Sequence, residues 1–104
     1  MYVARKTFLG NDPINESWSP QTNGRLVEIK LTFATPPTTP ENIQYWIDEP
    51  HNGLLVNFLI LDQAETGRYV NYIDNHVMQS GDSIRVTYPN SDGINWVLSM
   101  KVCQ

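Results

Sequence analysis

Alternation of apolar and polar residues with a period of two constrains this chain more than any other feature of its sequence. The alternation recurs in four segments, 27–33, 43–48, 83–88 and 94–102. Such a period predicts β-strands with one face in a core and the other in water. Clusters of Pro, Gly, Asn and Asp separate the segments, and the Asp92-Gly93 step suits a tight hairpin loop.

Further strands are expected between these four. The apolar run 54–61 is bounded by turn residues, which favours a strand covered on both faces. Segment 68–73 predicts a shorter, less regular strand, and Val77-Met78 a brief paired stretch. We therefore expect an all-β fold, a compact sandwich or barrel of about six to eight short strands.

The first 22 residues differ from the rest because their apolar residues are spaced irregularly among turn formers. We interpret 1–22 as an extended N-terminal arm and 23–104 as the β-sandwich domain. The apolar and aromatic content of the arm is too high for a segment that stays in water. It either covers its own domain or docks on a neighbouring subunit.

Composition excludes several classes of function. The 104 residues suit one domain. The net charge of −4 and the scattered basic residues argue against nucleic-acid binding. The longest apolar run, 53–61, is too short to span a bilayer, so we expect no membrane association. A single cysteine, Cys103, forms no internal disulfide, which fits a protein made in a reducing cytosol.

No catalytic or metal-binding constellation is recognisable. Cys103 has His51 and His76 as conceivable partners, but neither histidine lies in a nucleophile or zinc motif. The acidic residues fall at expected strand ends, where Asp and Asn favour turns through local hydrogen bonds. We therefore expect a protein that is not an enzyme and that binds no cofactor or metal.

The tryptophans are the best binding candidates. Trp96 shares the apolar face of its strand and is expected in the core. Trp46 shares the polar face of its strand with Gln44 and Asp48. An exposed tryptophan there indicates an interface or a sugar-stacking platform, and burial under the arm explains it equally well.

Three segments carry a resemblance to a known group of proteins: 23–33, the link 37–42 and the strand-and-turn segment 80–92. Together with the apolar last strand, they resemble small virion proteins of tailed bacteriophages, either capsid decoration (cement) proteins or tail-associated proteins. The resemblance implies a compact β-sandwich attached to the phage head or tail, and it brings no catalytic residues.

Our leading hypothesis is a capsid decoration protein of a phage particle assembled in the host cytoplasm. It would bind the major capsid protein and copies of itself, for instance as a trimer. The alternative is a carbohydrate- or receptor-binding module of a phage tail, with Trp46 in its platform. The residues expected to make partner contacts are Tyr2, Val3, Phe8, Leu9, Ile14, Trp18 and Trp46.

Overall fold

A computed structural model describes residues 3–20, 23–62 and 69–103 and confirms the all-β class. The described part contains eight strands and one short 3-10 helix, Pro50–Asn52. The strands are β1 (Val3–Gly10), β2 (Ile14–Trp18), β3 (Gly24–Phe33), β4 (Asn42–Glu49), β5 (Leu54–Asp62), β6 (Tyr69–Met78), β7 (Ser83–Tyr88) and β8 (Trp96–Cys103).

The strands form two four-stranded antiparallel sheets that pack as a β-sandwich. Sheet A has the order β1-β8-β3-β6, and sheet B has the order β2-β7-β4-β5. The core lies between them and draws on both, for example on Leu31 and Leu98 from sheet A and on Ile43 and Val86 from sheet B. Each sheet turns its second face to solvent, which is why the sequence alternates.

The period-two pattern places the core correctly in β4, β7 and β8. The inward residues there are fully buried, including Tyr45, Ile84 and Trp96. Trp96 therefore lies in the core, as expected. Gly93 has a φ of 63°, a left-handed conformation that glycine adopts without strain in the turn before β8. The hairpin predicted there is wrong, because β7 and β8 belong to different sheets and the loop crosses from one sheet to the other.

A β-bulge in β3 changes the expected face of Val27. The register of β3 shifts between Leu26 and Glu28 against both of its neighbours. One extra residue at a bulge reverses which face of the sheet each side chain on its N-terminal side occupies. Leu26 is consequently buried, whereas Val27, expected on the inward face, is only partly buried.

The N-terminal arm contributes two strands to the sandwich instead of standing apart from it. β1 pairs with β8 from Val3 to Gly10, and β2 pairs with β7 from Ile14 to Trp18. Within this chain, the described part of the arm therefore pairs with its own domain, as the cover-strand interpretation expects.

The pattern of these two strands is irregular for a physical reason. The inward side of β1 carries Ala4, Lys6 and Gly10 beside Phe8, as its pairing with β8 indicates. Charged side chains that point inward on edge strands hinder pairing with other chains. Such strands bury little apolar surface and therefore show no clear period.

Asn90 and Trp96 hold the turn between β1 and β2 against the loop that connects β7 to β8. The Asn90 amide nitrogen donates to the carbonyl oxygens of Asn11 and Asp12, each at 3.1 Å. The Trp96 indole N–H donates to the Asp12 carbonyl at 2.9 Å. Asn90 is itself 4% exposed, so these bonds are shielded from water. They fix the N-terminal strands to the domain.

Strand β5 differs from its prediction. A strand covered on both faces was expected, but β5 is an edge strand of sheet B, and Leu54, Leu55, Val56 and Ile60 are exposed. The two short stretches expected around residues 68–78 form one continuous strand, β6, at the edge of sheet A.

Candidate functional site

Four strands occupy the edges of the two sheets: β1 and β6 in sheet A, and β2 and β5 in sheet B. An edge strand presents unpaired backbone N–H and C=O groups, and soluble proteins protect such edges with charges, prolines or short strands. β1 carries Arg5 and Lys6, β2 has five residues, and the sequence of β6 includes the acidic residue Asp74. These three edges follow the rule.

Strand β5 does not follow it. It has nine residues, and its sequence from Leu54 to Leu61 contains no charge and no proline. Within the described part of the chain β5 pairs with β4 alone, through a register that runs from Glu49-Leu54 to Asn42-Asp62. A long, apolar, unprotected edge marks a surface on which another strand can pair.

The exposed apolar side chains concentrate along this side of the sandwich. We call the following set the β5–β6 strip: Leu54, Leu55, Val56 and Ile60 on β5, with Tyr69, Ile73 and Val77 on β6. Leu55 and Ile60 are each 55% exposed and Ile73 is 72% exposed. The register places Leu55 and Ile60 on the outer face of sheet B, and Tyr69, Ile73 and Val77 on the outer face of sheet A, so the strip spans the two faces beside this edge. Exposed apolar residues that cluster in this way mark candidate interaction surfaces.

Aromatic side chains tie the two edge strands together beneath the strip. The rings of Phe58 on β5 and Tyr72 on β6 lie 5.4 Å apart, and Tyr45 of β4 lies 5.8 Å from Tyr72. The imidazole of His76 stacks on Phe58 with a centroid distance of 6.3 Å and lies 3.7 Å from Glu49. Such ring contacts add to area burial, so they help to hold β5 and β6 together across the two sheets.

Burial raises the pKa of Tyr45 well above its usual value. The Tyr45 hydroxyl is buried and has no hydrogen-bond partner among the residues that the structure describes. Burying a hydroxyl without a partner costs free energy. The Tyr45 ring therefore stabilises this side of the fold through packing, whereas the buried Tyr45 hydroxyl lowers the stability of the fold.

A second distinctive surface is the outer face of sheet B. The register places Ser17, Arg85, Trp46 and Asn57 in one row across the four strands, and Asn15, Thr87, Gln44 and Ile60 in the next. Amide, hydroxyl, guanidinium and indole groups therefore share one face.

Hydrogen bonds fix several of these side chains. The Trp46 indole N–H donates to Thr87 Oγ1 at 3.3 Å, Asn57 Nδ2 donates to Gln44 Oε1 at 2.8 Å, and Arg85 Nε donates to Asn15 Oδ1 at 3.0 Å. An open depression of about 350 Å³ lies beside Trp46. Its lining has a polar set, Asn15, Asn42, Gln44, Arg85 and Thr87. The other lining residues are Pro13, Ile14, Tyr88 and Pro89.

The seven residues expected to contact a partner separate into distinct groups. Ile14 is a core residue with 2% exposure, so its assignment to a partner surface is wrong. Phe8 and Trp18 are partly buried and pack against the core. Their position follows from the pairing of β1 and β2 with the domain.

The remaining four residues do not form one patch. Val3 and Leu9 are exposed on the outer face of β1, and Leu9 is the more exposed at 76%. Trp46 lies on the outer face of sheet B and is partly exposed. Tyr2 lies outside the described residues.

The β5–β6 strip was not predicted from the sequence, although the apolar run of β5 indicated part of it. Strands apolar on both faces belong to parallel sheets covered on both sides, whereas antiparallel sandwich strands alternate. The continuous run 54–61 in a sandwich of alternating strands therefore indicated an uncovered apolar edge.

The cysteine and the described histidine do not meet. His76 and Cys103 belong to β6 and β8, which flank β3, so two strand spacings of about 10 Å in total separate their backbones. His76 lies opposite Leu26, which faces the core, whereas Cys103 lies opposite Arg25, on the outer face. Across residues 3–20, 23–62 and 69–103, no three His, Cys, Asp or Glu side chains are grouped to hold a metal ion.

Among the residues that the structure describes, Asp92 is a carboxylate with a perturbed pKa, and it lies in the loop before β8. The hydroxyl of Thr39, followed by the backbone N–H groups of Thr38 and Thr39, lowers the pKa of Asp92 from 3.8 to about 2. The Thr38 N–H donates to Asp92 Oδ2 at 2.8 Å. These bonds hold the link between β3 and β4 against the β7–β8 loop, so we assign Asp92 a structural role.

Comparison with known proteins places the chain in no family: no protein-family model matches it, and no curated protein does. None of the helices in the described residues is both long and apolar enough to cross a membrane.

Proposed function

We propose that this protein is a structural protein of a phage particle, a capsid decoration protein that binds the major capsid protein through the edge of β5. The observation that carries the proposal is that β5 is long, uncharged and unpaired on its outer side within the described residues. The resemblance of 23–33, 37–42 and 80–92 to phage virion proteins supplies the class of partner.

Pairing by strand addition explains why the edge takes this form. An extended segment of the capsid protein can hydrogen-bond to the open side of β5, and these main-chain bonds supply affinity. Leu55 and Ile60, on the outer face of sheet B, would then be covered by the added segment. The proposal moves the contact surface from the N-terminal strands to the opposite side of the sandwich.

Self-association belongs to the same proposal. Copies of the protein, for instance a trimer, would bring several β5 edges to the capsid lattice together and raise avidity without new contacts. The protein acts by binding, without cofactor or catalysis, and is located in the virion.

The test is co-sedimentation with purified capsids of the phage that encodes the chain. The double variant Leu55→Lys/Ile60→Lys places two charges in the proposed interface. Burying unpaired charges costs about 3–5 kcal/mol, so capsid affinity should fall by more than about a hundredfold. Because both side chains are already more than half exposed, the free variant should stay folded.

A matched control separates the two sides of the molecule. Leu9→Lys makes the same kind of change at a more exposed residue on the opposite edge strand, β1. We expect it to bind capsids as the parent does. If Leu9→Lys loses capsid binding while the β5 double variant keeps it, the contact surface lies on the N-terminal strands and the proposal is refuted.

A further inference from the structure

The depression on the outer face of sheet B has no role in the capsid contact proposed above. Its lining combines the apolar side chains of Pro13, Ile14 and Pro89 and the ring of Tyr88 with amides, a hydroxyl and one guanidinium, and Arg85 is the charged group among them. Such a mixed lining offers apolar surface for C–H groups together with hydrogen-bond donors and acceptors. Sugar hydroxyl groups match such a lining.

Trp46 supplies the second requirement of a sugar site. It stands opposite Arg85 in the register of β4 and β7, and its indole N–H bond to Thr87 ties it to the margin of the depression. Trp46 is partly exposed on this face, so its indole offers some flat apolar surface to a ligand. The C–H face of a pyranose ring has the complementary shape and polarity.

Arg85 decides the charge of the ligand. Its Nε donates to Asn15 Oδ1 at 3.0 Å, which fixes the plane of the guanidinium. The two terminal nitrogens carry four further N–H donors, arranged as a fork that fits a carboxylate. Because the lining of the depression contains no Asp or Glu, no carboxylate of the site competes for this fork.

We propose that the outer face of sheet B binds an acidic oligosaccharide, with a sugar ring on Trp46, a uronate carboxylate on Arg85, and sugar hydroxyl groups on Gln44, Asn42 and Thr87. The Gln44 side chain is pre-oriented for this by Asn57, whose amide occupies Gln44 Oε1 and so turns the Gln44 amide nitrogen toward other acceptors. The site adjoins the β5 edge, since Gln44 lies opposite Ile60, but its argument does not rest on the capsid proposal.

Three tryptophans make the test direct, because each indole N–H gives its own nuclear magnetic resonance signal. Trp96 donates to the Asp12 carbonyl in the core, and Trp18 packs on the inner side of β2. Titration of the full chain with a galacturonic acid tetrasaccharide should shift the Trp46 signal and leave those of Trp18 and Trp96 in place. The methyl-esterified tetrasaccharide, which lacks the carboxylate charge, should bind about tenfold more weakly.

Variants locate the site. Trp46→Ala should weaken binding about tenfold or more, and Arg85→Gln should abolish the preference for the free acid over the ester. Tyr69→Ala removes an exposed aromatic ring from the other sheet and should change nothing. Gln44→Ala gives a second route if Trp46→Ala does not fold.

Two results would overturn the proposal. One is a Trp46 signal that does not move at about 10 mM ligand, a concentration at which even millimolar affinity saturates the site. The other is undiminished binding by a folded Trp46→Ala or Gln44→Ala protein.

Discussion

Replacing Asn90 should cost more stability than any other single polar substitution in the loop before β8. Asn90 adopts a φ of 50°, in the left-handed region, and its side chain is almost fully buried. Its amide nitrogen donates to the carbonyls of Asn11, Asp12 and Ile94, and its Oδ1 accepts from the Ile94 N–H at 3.2 Å. One side chain thus joins the β1–β2 turn to the β7–β8 loop.

The magnitude follows from these bonds. Two amide hydrogens and one accepting oxygen amount to about three net hydrogen bonds, each contributing about 1 kcal/mol. Asn90→Gly removes the bonds and keeps the backbone relaxed, so it should lose about 3 kcal/mol. Asn90→Ala adds the strain of an alanine at positive φ, about 1 kcal/mol more.

Urea unfolding at fixed pH measures both variants, and thermal unfolding checks them. A loss of about 3 kcal/mol in a domain of this size should lower the Tm by about 12–24 °C. Asn90→Asp should be at least as destabilising as Asn90→Gly, because a carboxylate cannot donate to the three carbonyl oxygens. Variants within about 1 kcal/mol of the parent would refute the claim that this side chain anchors the N-terminal strands.

Two further predictions concern the polar groups described above. Tyr45→Phe should raise the free energy of unfolding in urea by about 1 kcal/mol, because it removes a buried hydroxyl that has no partner among the described residues and keeps the ring contacts; a loss of stability would show that the hydroxyl is bound. Because the folded-state pKa of Asp92 lies below its unfolded value near 4, its bonds stabilise the fold above pH 4, and this contribution disappears as the pH falls toward about 2. The stability difference between the parent and Asp92→Asn should therefore shrink over that range, and a constant difference would contradict this assignment.

Much of the fold follows from the sequence because the central strands obey a simple rule. In β4, β7 and β8 the buried residues are apolar and alternate with more exposed ones, and turn-forming residues bound these strands. The hydrophobic period and the turn residues therefore predict the same elements. The bulge at Val27 could not be predicted in this way. One extra residue changes which face of the sheet the neighbouring side chains occupy, but it does not alter the composition of the strand.

The edge strands β1 and β2 were harder to predict because they lack the regular alternation of the central strands. β1 and β2 place Lys6 and Glu16 on their inward sides, which protects the edges and erases the period that identifies strands. The sequence placed Trp46 and Gln44 on one face of their strand and left open whether Trp46 is exposed, but it did not point to Arg85 or Asn15 beside them. Those residues come together only through the register of three strands, β2, β7 and β4.

Amide hydrogen exchange of the protein, free and bound to capsids, tests the central claim most directly, since it shows which edge becomes paired. Segment 54–62 should exchange rapidly at its open side in the free protein and become protected on binding, while 3–10 should exchange at the same rate in both states. Protection of 3–10 with no change in 54–62 would contradict the assignment of β5 as the partner-binding edge.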